Sequence, residues 1–190
     1  AYGDGGNGKG TLMNTLGEIL GDYADNLPFS ALELHERLGI PNDIAKLVGK
    51  RFVTSSESGE TRRLNEARVK ALTGRDQISA RFLHREWFTF RPKAKFWLAV
   101  NHRPVVRDTS VGFWRRIHLI PFTSSFADKP DLELKDKLRA ETSGILARAV
   151  RGCLAWKREG LNPPEVVRGA TATYRTDSMP LARFLEARSV

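Results

Sequence analysis

The stretch GDGGNGKGT, Gly3 to Thr11, constrains this chain more than any other feature: it sets five glycines in nine residues around a single lysine. Such a run is either a flexible linker or a cradle whose backbone N–H groups converge on a phosphate. Gly3, Gly8 and Lys9 meet the spacing G-x-x-x-x-G-K-[S/T] of the second use. The position that normally carries a hydroxyl is Gly10, and the hydroxyl arrives one residue later, at Thr11. The following residues, KGTLMNTLGEILG, put Leu12, Met13, Leu16, Ile19 and Leu20 on one helical face and stop at Gly21. A helix opening directly out of the loop is the context a phosphate cradle needs. The N–H groups from Gly5 through Gly6, Asn7 and Gly8 to Gly10 then converge on a β-phosphate at a helix N-terminus. Lys9 reaches the β- and γ-oxygens. Gly10 cannot ligate Mg²⁺, so Thr11 is left for the α-phosphate and for a metal held through water.

The rest of the chain limits the partners of such a loop. Its 190 residues are one domain's worth of polypeptide, and 41% hydrophobic residues suffice for a core. An excess of 31 Lys and Arg over 22 Asp and Glu leaves a net charge of +9. That balance points to a polyanion, nucleic acid before anionic membrane, although a basic surface with no such role is the plain alternative. Cys153 is the single cysteine, so no internal disulfide framework exists. The apolar run FWLAV (96–100) is too short to span a bilayer. The chain opens at Ala1-Tyr2, directly on the glycine loop, and so reads as an interior fragment that lacks the strand from which such a loop hangs.

Periodicity fills in the remainder. After a polar connector, PNDIAKLVG reads as a short helix and RFVTSSE as a buried strand. TRRLNEARVKALTG is helical, with Leu64, Ala67 and Ala71 as its stripe. From Asp76 to Arg91 the apolar residues alternate, broken at LHRE, which predicts a β-hairpin with Phe82, Phe88 and Phe90 in the core. KFWLAVN reads as a strand buried on both faces, and RIHLIPF as another. Beyond Lys129-Pro130 the pattern is helical, with Ile145, Leu146, Ala149, Val150, Cys153 and Leu154 as one stripe. Pro163-Pro164 opens a further helix, and Asp177 or Ser178 is placed to cap a last one. The expected fold is α/β: a core over 1–125 with a central, mostly parallel sheet and a β-hairpin insertion, then a helical subdomain over 126–190.

Four sets of residues carry candidate chemistry beside the loop. Glu57, after RFVTSS, stands where a carboxylate would hold Mg²⁺ and activate water, with Glu60 as the fallback and an exposed loop acid as the alternative. Asn101 ends KFWLAV and either marks a turn or orients water beside a γ-phosphate. Arg115 and Arg116 are either a solvated pair or an arginine finger reaching a neighbouring subunit's nucleotide. The hairpin interleaves Arg81 and Arg85 with His84 and Trp87, the combination that sequence-tolerant single-strand binding uses. The four histidines share no ligand spacing with each other or with Cys153.

The order of GDGGNGKGT, FVTSSE, NEARVKALTGRDQISARFL, FTFRPKAKFWLAVNHRP and FWRRIHLIPF over residues 3–122 resembles the superfamily 3 helicase domain of phage and plasmid primase–helicases. That group is related to poxvirus-type NTPases. LKDKLRAETSGILARAVRGCLAWKREGLNPPEVV extends the resemblance more weakly. It implies a P-loop NTPase of modified AAA+ fold, ATP and Mg²⁺ as cofactors, translocation on single-stranded DNA and a homo-oligomeric, hexameric ring. A primase domain in the same parent chain and a cytoplasmic location in a bacterial host, away from membranes, are further implications. In that frame Lys9 and Thr11 hold nucleotide, Glu57 is the metal-side carboxylate and Asn101 senses the γ-phosphate. Arg116 is the finger with Arg115 as substitute, and Lys70 lies in the segment leading to the DNA hairpin. Two other classes stay open: a nucleoside-monophosphate kinase, which also uses a loop ending G-K-G-T, and a nucleic-acid-binding relic without catalysis.

Overall fold

Gly8 sits at φ 86° as the cap of the first helix, a left-handed conformation that a residue with a side chain adopts only with strain. The computed structural model describes residues 1–34, 42–56 and 62–179. In it the helix α1 (Lys9–Leu20) runs from that cap to Gly21, whose N–H donates to the Gly17 carbonyl. Only Lys9 and Met13 of α1 are buried, so the rest of the expected apolar face is half covered or, at Leu12, exposed. The connector that follows is not featureless. It contains a short strand, β1 (Ala24–Asn26), whose polar residues ADN carry no apolar alternation and gave no strand signal.

After α2 (Asn42–Ala45), strand β2 (Phe52–Ser56) pairs in parallel with β1 on one side and with β5 (Lys95–Ala99) on the other. The register sets Ala24 beside Phe52, Phe52 beside Lys95, and Ser56 beside Ala99. One step further, Tyr2 bridges in parallel to both Val100 and Pro121. The extended segments therefore lie in the order β1, β2, β5, Tyr2, Pro121, with their carboxyl ends on one side. The chain passes from β5 on one flank of Tyr2 to Pro121 on the other. From Tyr2 the chain crosses the other way, to β1, so the connections of the neighbouring segments β5 and Tyr2 leave in opposite directions. The glycine loop leaves Tyr2 where the sheet order reverses in this way.

Several elements depart from the pattern the sequence suggests. β5 is half-buried, not covered on both faces, because few apolar elements lie over it. RIHLIPF pairs only around Tyr2, through Tyr2 N–H to Ile120 O at 3.0 Å and Phe122 N–H to Tyr2 O at 2.8 Å. α3 (Glu66–Thr73) starts later than expected, since the Asn65 side chain accepts from the Arg68 N–H at 3.0 Å and caps it there. Leu64 is buried ahead of the helix in an extended bridge to Glu33, Ala67 is exposed, and Leu72 is the helix's core residue.

The hairpin exists as β3 (Ile78–Ala80) against β4 (Phe88–Phe90), paired antiparallel with Ala80 opposite Phe88. Phe88 and Phe90 pack partly against the core, whereas Phe82 is exposed and stacks on Phe88 with centroids 5.8 Å apart. The core itself joins Leu27, Leu47, Val53, Leu72 and Phe113, the last from the short helix α4 (Val111–Trp114). Burying each such side chain stabilises by about 1.5–3 kcal/mol.

The carboxy-terminal region divides in two. α5 (Leu134–Ala140) and α6 (Thr142–Glu159) have no buried residue, and the stripe at Leu146, Val150 and Leu154 faces outward. α7 (Glu165–Asp177) instead packs on the core through Val167 and Tyr174. The helix expected to begin at Asp177 or Ser178 lies largely outside the described residues; Ser178 itself closes α7, its hydroxyl donating to Tyr174 O at 2.8 Å.

Candidate functional site

The glycine loop is held from three sides. Gly3 donates to Val100 O at 3.3 Å, and a Cβ at Gly3 would collide with Phe122 O, so only glycine fits between β5 and the 122 segment. Asn7, 6% exposed, donates from Nδ2 to Phe122 O at 3.1 Å and accepts the Lys9 ammonium on Oδ1 at 3.0 Å. Phe126 donates its N–H to Gly6 O at 2.9 Å. Lys9, 7% exposed, completes the arrangement by donating to Gly3 O at 2.5 Å and Asp4 O at 2.9 Å.

Polarity inside the loop is thus one-sided. The carbonyls of Gly3, Asp4 and Gly6 are consumed by donors from within the protein. Among the described residues, the N–H groups of Asp4 through Gly8 have no protein acceptor. A run of unmet amides at the start of a twelve-residue helix, beside a buried ammonium, is chemically able to receive an anion. Burial lowers the Lys9 pKa, and the nearby Asp4 carboxylate partly offsets that shift. A phosphate would relieve this desolvation, because its oxygens replace the water that Lys9 has lost. Gly10 and Thr11 are exposed in the first turn of α1, which leaves the Thr11 hydroxyl accessible.

Asn101 follows Val100, the residue whose carbonyl receives Gly3, and is exposed at the carboxyl end of β5. Loop and amide are thereby neighbours across one sheet hydrogen bond. Glu57 and Glu60 lie outside the described residues. In sequence, Glu57 directly follows Ser56, the last residue of β2. Among the described residues no group of three or more His, Cys, Asp or Glu side chains could hold a metal.

The two arginines separate. Arg116 turns inward, donating from Nη1 to Gly112 O, and its Nη2 lies 3.4 Å from where a Cβ on Gly74 would stand. Arg115, its neighbour, is exposed. At the hairpin, Arg81, His84, Arg85 and Trp87 are all exposed, and the Arg81 guanidinium carbon lies 5.0 Å from the Trp87 ring centroid. The turn places His84 at φ 58° and closes with Arg85 N–H to Phe82 O at 3.0 Å. Lys70 is not part of this group. Its ammonium donates to Asp108 Oδ2 at 2.8 Å. That hydrogen bond, with further donors from Ser110, holds the Asp108 carboxyl at about 2.

Sequence reasoning missed Tyr2, Arg103 and Asp108. None belongs to a spacing pattern; each meets a partner more than thirty residues away.

A family described as of unknown function, DUF5906, matches residues 1–116. A candidate helicase of Acanthamoeba polyphaga mimivirus is 28% identical over 193 aligned positions, covering 91% of this chain and 20% of that protein. A candidate helicase of frog virus 3 is 25% identical, covering 97% of this chain and 21% of its own length. A candidate primase of African swine fever virus is 30% identical over 132 positions, covering 68% of this chain and 14% of the primase. The chain thus spans about a fifth or less of these relatives, all of them proteins of viruses that infect eukaryotes. Among solved structures, an apo form of the NrS-1 C-terminal region aligns with a TM-score of 0.57 at 17% identity, over 75% of this chain and 33% of that one. A second apo structure of the region gives 0.54 at 15%. The fold is shared over three quarters of the chain. No helix among the described residues is long and apolar enough to cross a membrane.

Proposed function

The chain belongs to the DUF5906 family of unknown function, and from that premise we propose that it is the ATP-hydrolysing motor of a viral replication protein, a P-loop NTPase of the superfamily 3 helicase type that moves on single-stranded DNA. One observation carries this reading: the unmet amides of Asp4 through Gly8 beside the buried Lys9, at the point where the sheet order reverses. The names of the viral relatives, for helicases and a primase, agree with it.

In this mechanism the loop amides bind the β-phosphate and hold the chain of phosphates in line. Lys9 leaves the carbonyls of Gly3 and Asp4 and neutralises charge on the transferring phosphoryl group. Thr11 would hold the α-phosphate and, through water, Mg²⁺, which would supply charge neutralisation on the phosphates when bound. Glu57, in the segment after β2, takes a proton from the attacking water, and Asn101 fixes that water beside the γ-phosphate. An arginine from the next copy in a ring answers the developing charge. Arg115 is the exposed member of the pair, while Arg116 is turned to the Gly112 carbonyl. Arg81, Arg85 and His84 follow the DNA backbone at the hairpin tip and Trp87 stacks on a base. The primase partner, carried elsewhere in a longer chain, belongs to the same proposal.

The deciding experiment measures Mg-ATP turnover with and without single-stranded DNA, for the wild type and Lys9→Ala. DNA-stimulated turnover lost in the variant supports the reading. Phosphoryl transfer to a nucleoside monophosphate, unaffected by DNA, overturns it in favour of a kinase.

A further inference from the structure

Beyond β5 the chain turns through Asn101, His102, Arg103 and Pro104, and the side chain of Arg103 does something the reaction above does not use. Its guanidinium carbon lies 5.7 Å from the ring centroid of Tyr2 and 5.7 Å from that of Tyr174, and Nη1 donates to Asp177 Oδ2 at 2.8 Å. One planar cation therefore contacts two tyrosines and a carboxylate. Tyr2 launches the glycine loop; Tyr174 and Asp177 both belong to α7.

Each end of this contact is fixed by other bonds. Tyr2 is paired through its N–H to Ile120 O at 3.0 Å and through its carbonyl to Phe122 N–H at 2.8 Å. Tyr174, 6% exposed, donates its hydroxyl to Pro104 O at 2.5 Å and sets its ring edge-on to Trp114 at 5.1 Å. α7 has further anchors in Thr171, whose Oγ1 accepts the Leu119 N–H at 2.9 Å, and in Arg175, which donates to Thr109 O at 3.4 Å. Of these anchors, only Arg103 also touches the residue that starts the loop. It stands two positions from Asn101.

We infer that Arg103 is a positioning residue that couples the glycine loop to the docking of α7, so that the nucleotide state of the loop and the placement of α7 control each other. The inference rests on the reading that the loop binds nucleotide phosphates. The chemistry favours arginine specifically. A guanidinium stacks its faces on aromatic rings while donating in its plane, whereas an ammonium is a point charge with no plane to stack and, drawn to the carboxylate, holds the two rings less well. Lysine in place of Arg103 would keep α7 paired through Asp177 and release Tyr2. If α7 leaves, the cation loses Tyr174 and Asp177 together and ceases to brace Tyr2. By linkage, whatever factor docking of α7 adds to the loop's nucleotide affinity, bound nucleotide adds to the docking of α7.

The test compares wild type, Arg103→Lys and Tyr2→Leu in the full chain by amide exchange and by Mg-ATP turnover. Without nucleotide, both variants should speed exchange at the amides of Gly3 and Phe122 by about tenfold, with exchange across residues 165–177 and the melting temperature close to wild type. Turnover should fall by about 10- to 100-fold, since misplacement of a loop by an ångström has that effect. Added Mg-ATP should slow exchange in α7 of the wild type and leave it unchanged in both variants. Unchanged exchange at Gly3 and Phe122 in both variants overturns the coupling, as does acceleration that appears only together with loss of α7. The measurements without nucleotide decide the clamp even if the wild type proves to bind no ATP. That result would remove the proposed function and the nucleotide half of the inference, and would leave only the mechanical link of Arg103 between Tyr2 and α7.

Discussion

The glycine loop and the hairpin tip both present positive charge, and they hold it in opposite ways. Lys9 is 7% exposed, with three acceptors within its own loop. Trp87 is 51% exposed, and the Arg81 beside it makes a cation–π contact at a short antiparallel turn. A group that must stabilise charge at one atom benefits from being fixed and desolvated beforehand, because no reorganisation is then needed during reaction. A group that must follow any base sequence benefits from staying solvated and adaptable. The arginine pair repeats the contrast within two residues, Arg116 turned inward and Arg115 exposed.

The sharpest way to break the comparison uses that pair. Arg115→Ala should lower turnover by about 10³-fold or more with nucleotide affinity nearly unchanged, as loss of an arginine finger does. Mixing it with Lys9→Ala should restore part of the activity in mixed rings. Arg116→Ala should show its main effect as a lower melting temperature. If Arg116 alone shows the turnover loss and the rescue, the inward-turned arginine is the finger and exposure is a poor guide.

Lys9→Ala should reduce ATP turnover by about 10²–10³-fold, the typical effect of removing one preorganised charge from a reacting phosphate. Turnover within a few-fold of wild type would take the glycine loop out of the mechanism. On the adaptable side, Trp87→Ala should weaken single-strand binding by about 1–3 kcal/mol, with little dependence on base sequence. Arg81→Ala and Arg85→Ala should each flatten the salt dependence measured between low and moderate salt. An unchanged slope in both places the DNA elsewhere.

The smallest effect concerns Lys70 and Asp108, which pair across 2.8 Å instead of joining the tip. The folded Asp108 carboxyl is held at about 2, below its ordinary 3.8. Its contribution is therefore present above pH 3.8 and is lost as the pH falls through about 2. Asp108→Asn should lower stability at neutral pH by about 1–2 kcal/mol, and denaturation curves of the two proteins should converge toward pH 2. A gap that persists at low pH would assign the effect to packing, not charge.

Local signals revealed those elements whose cause is local. The loop and α1 follow from glycines, which permit Gly8 its left-handed φ of 86°, and from an apolar face that ends at Gly21. The hairpin follows from alternation, and α7 from Pro163-Pro164. β1 was invisible because ADN is polar; only its parallel register against Phe52 through Thr54 makes it a strand. The stripe of α6 was legible as an amphipathic helix, yet periodicity reports that a face is apolar and not whether anything covers it. Phe82 shows the same limit in one residue, since its alternation matches Phe88 while its place at the turn leaves it exposed.

By itself, the sequence determined the loop: the short run from Gly3 to Thr11 contains glycines that allow its conformations, the lysine and the helix start that an anion site requires. Tertiary structure decided which groups serve it. Tyr2 becomes the middle of a sheet only because Val100 and Pro121 close on it, and Asn101 reaches the loop only through the bond between Val100 and Gly3. Lys70 is drawn to Asp108, 38 residues away, and Arg103 to Asp177, 74 residues away. Backbone conformation and helix periodicity are set by neighbours along the chain, so a sequence displays them. Burial, ion pairing and ring stacking are set by residues that meet only when the chain has folded.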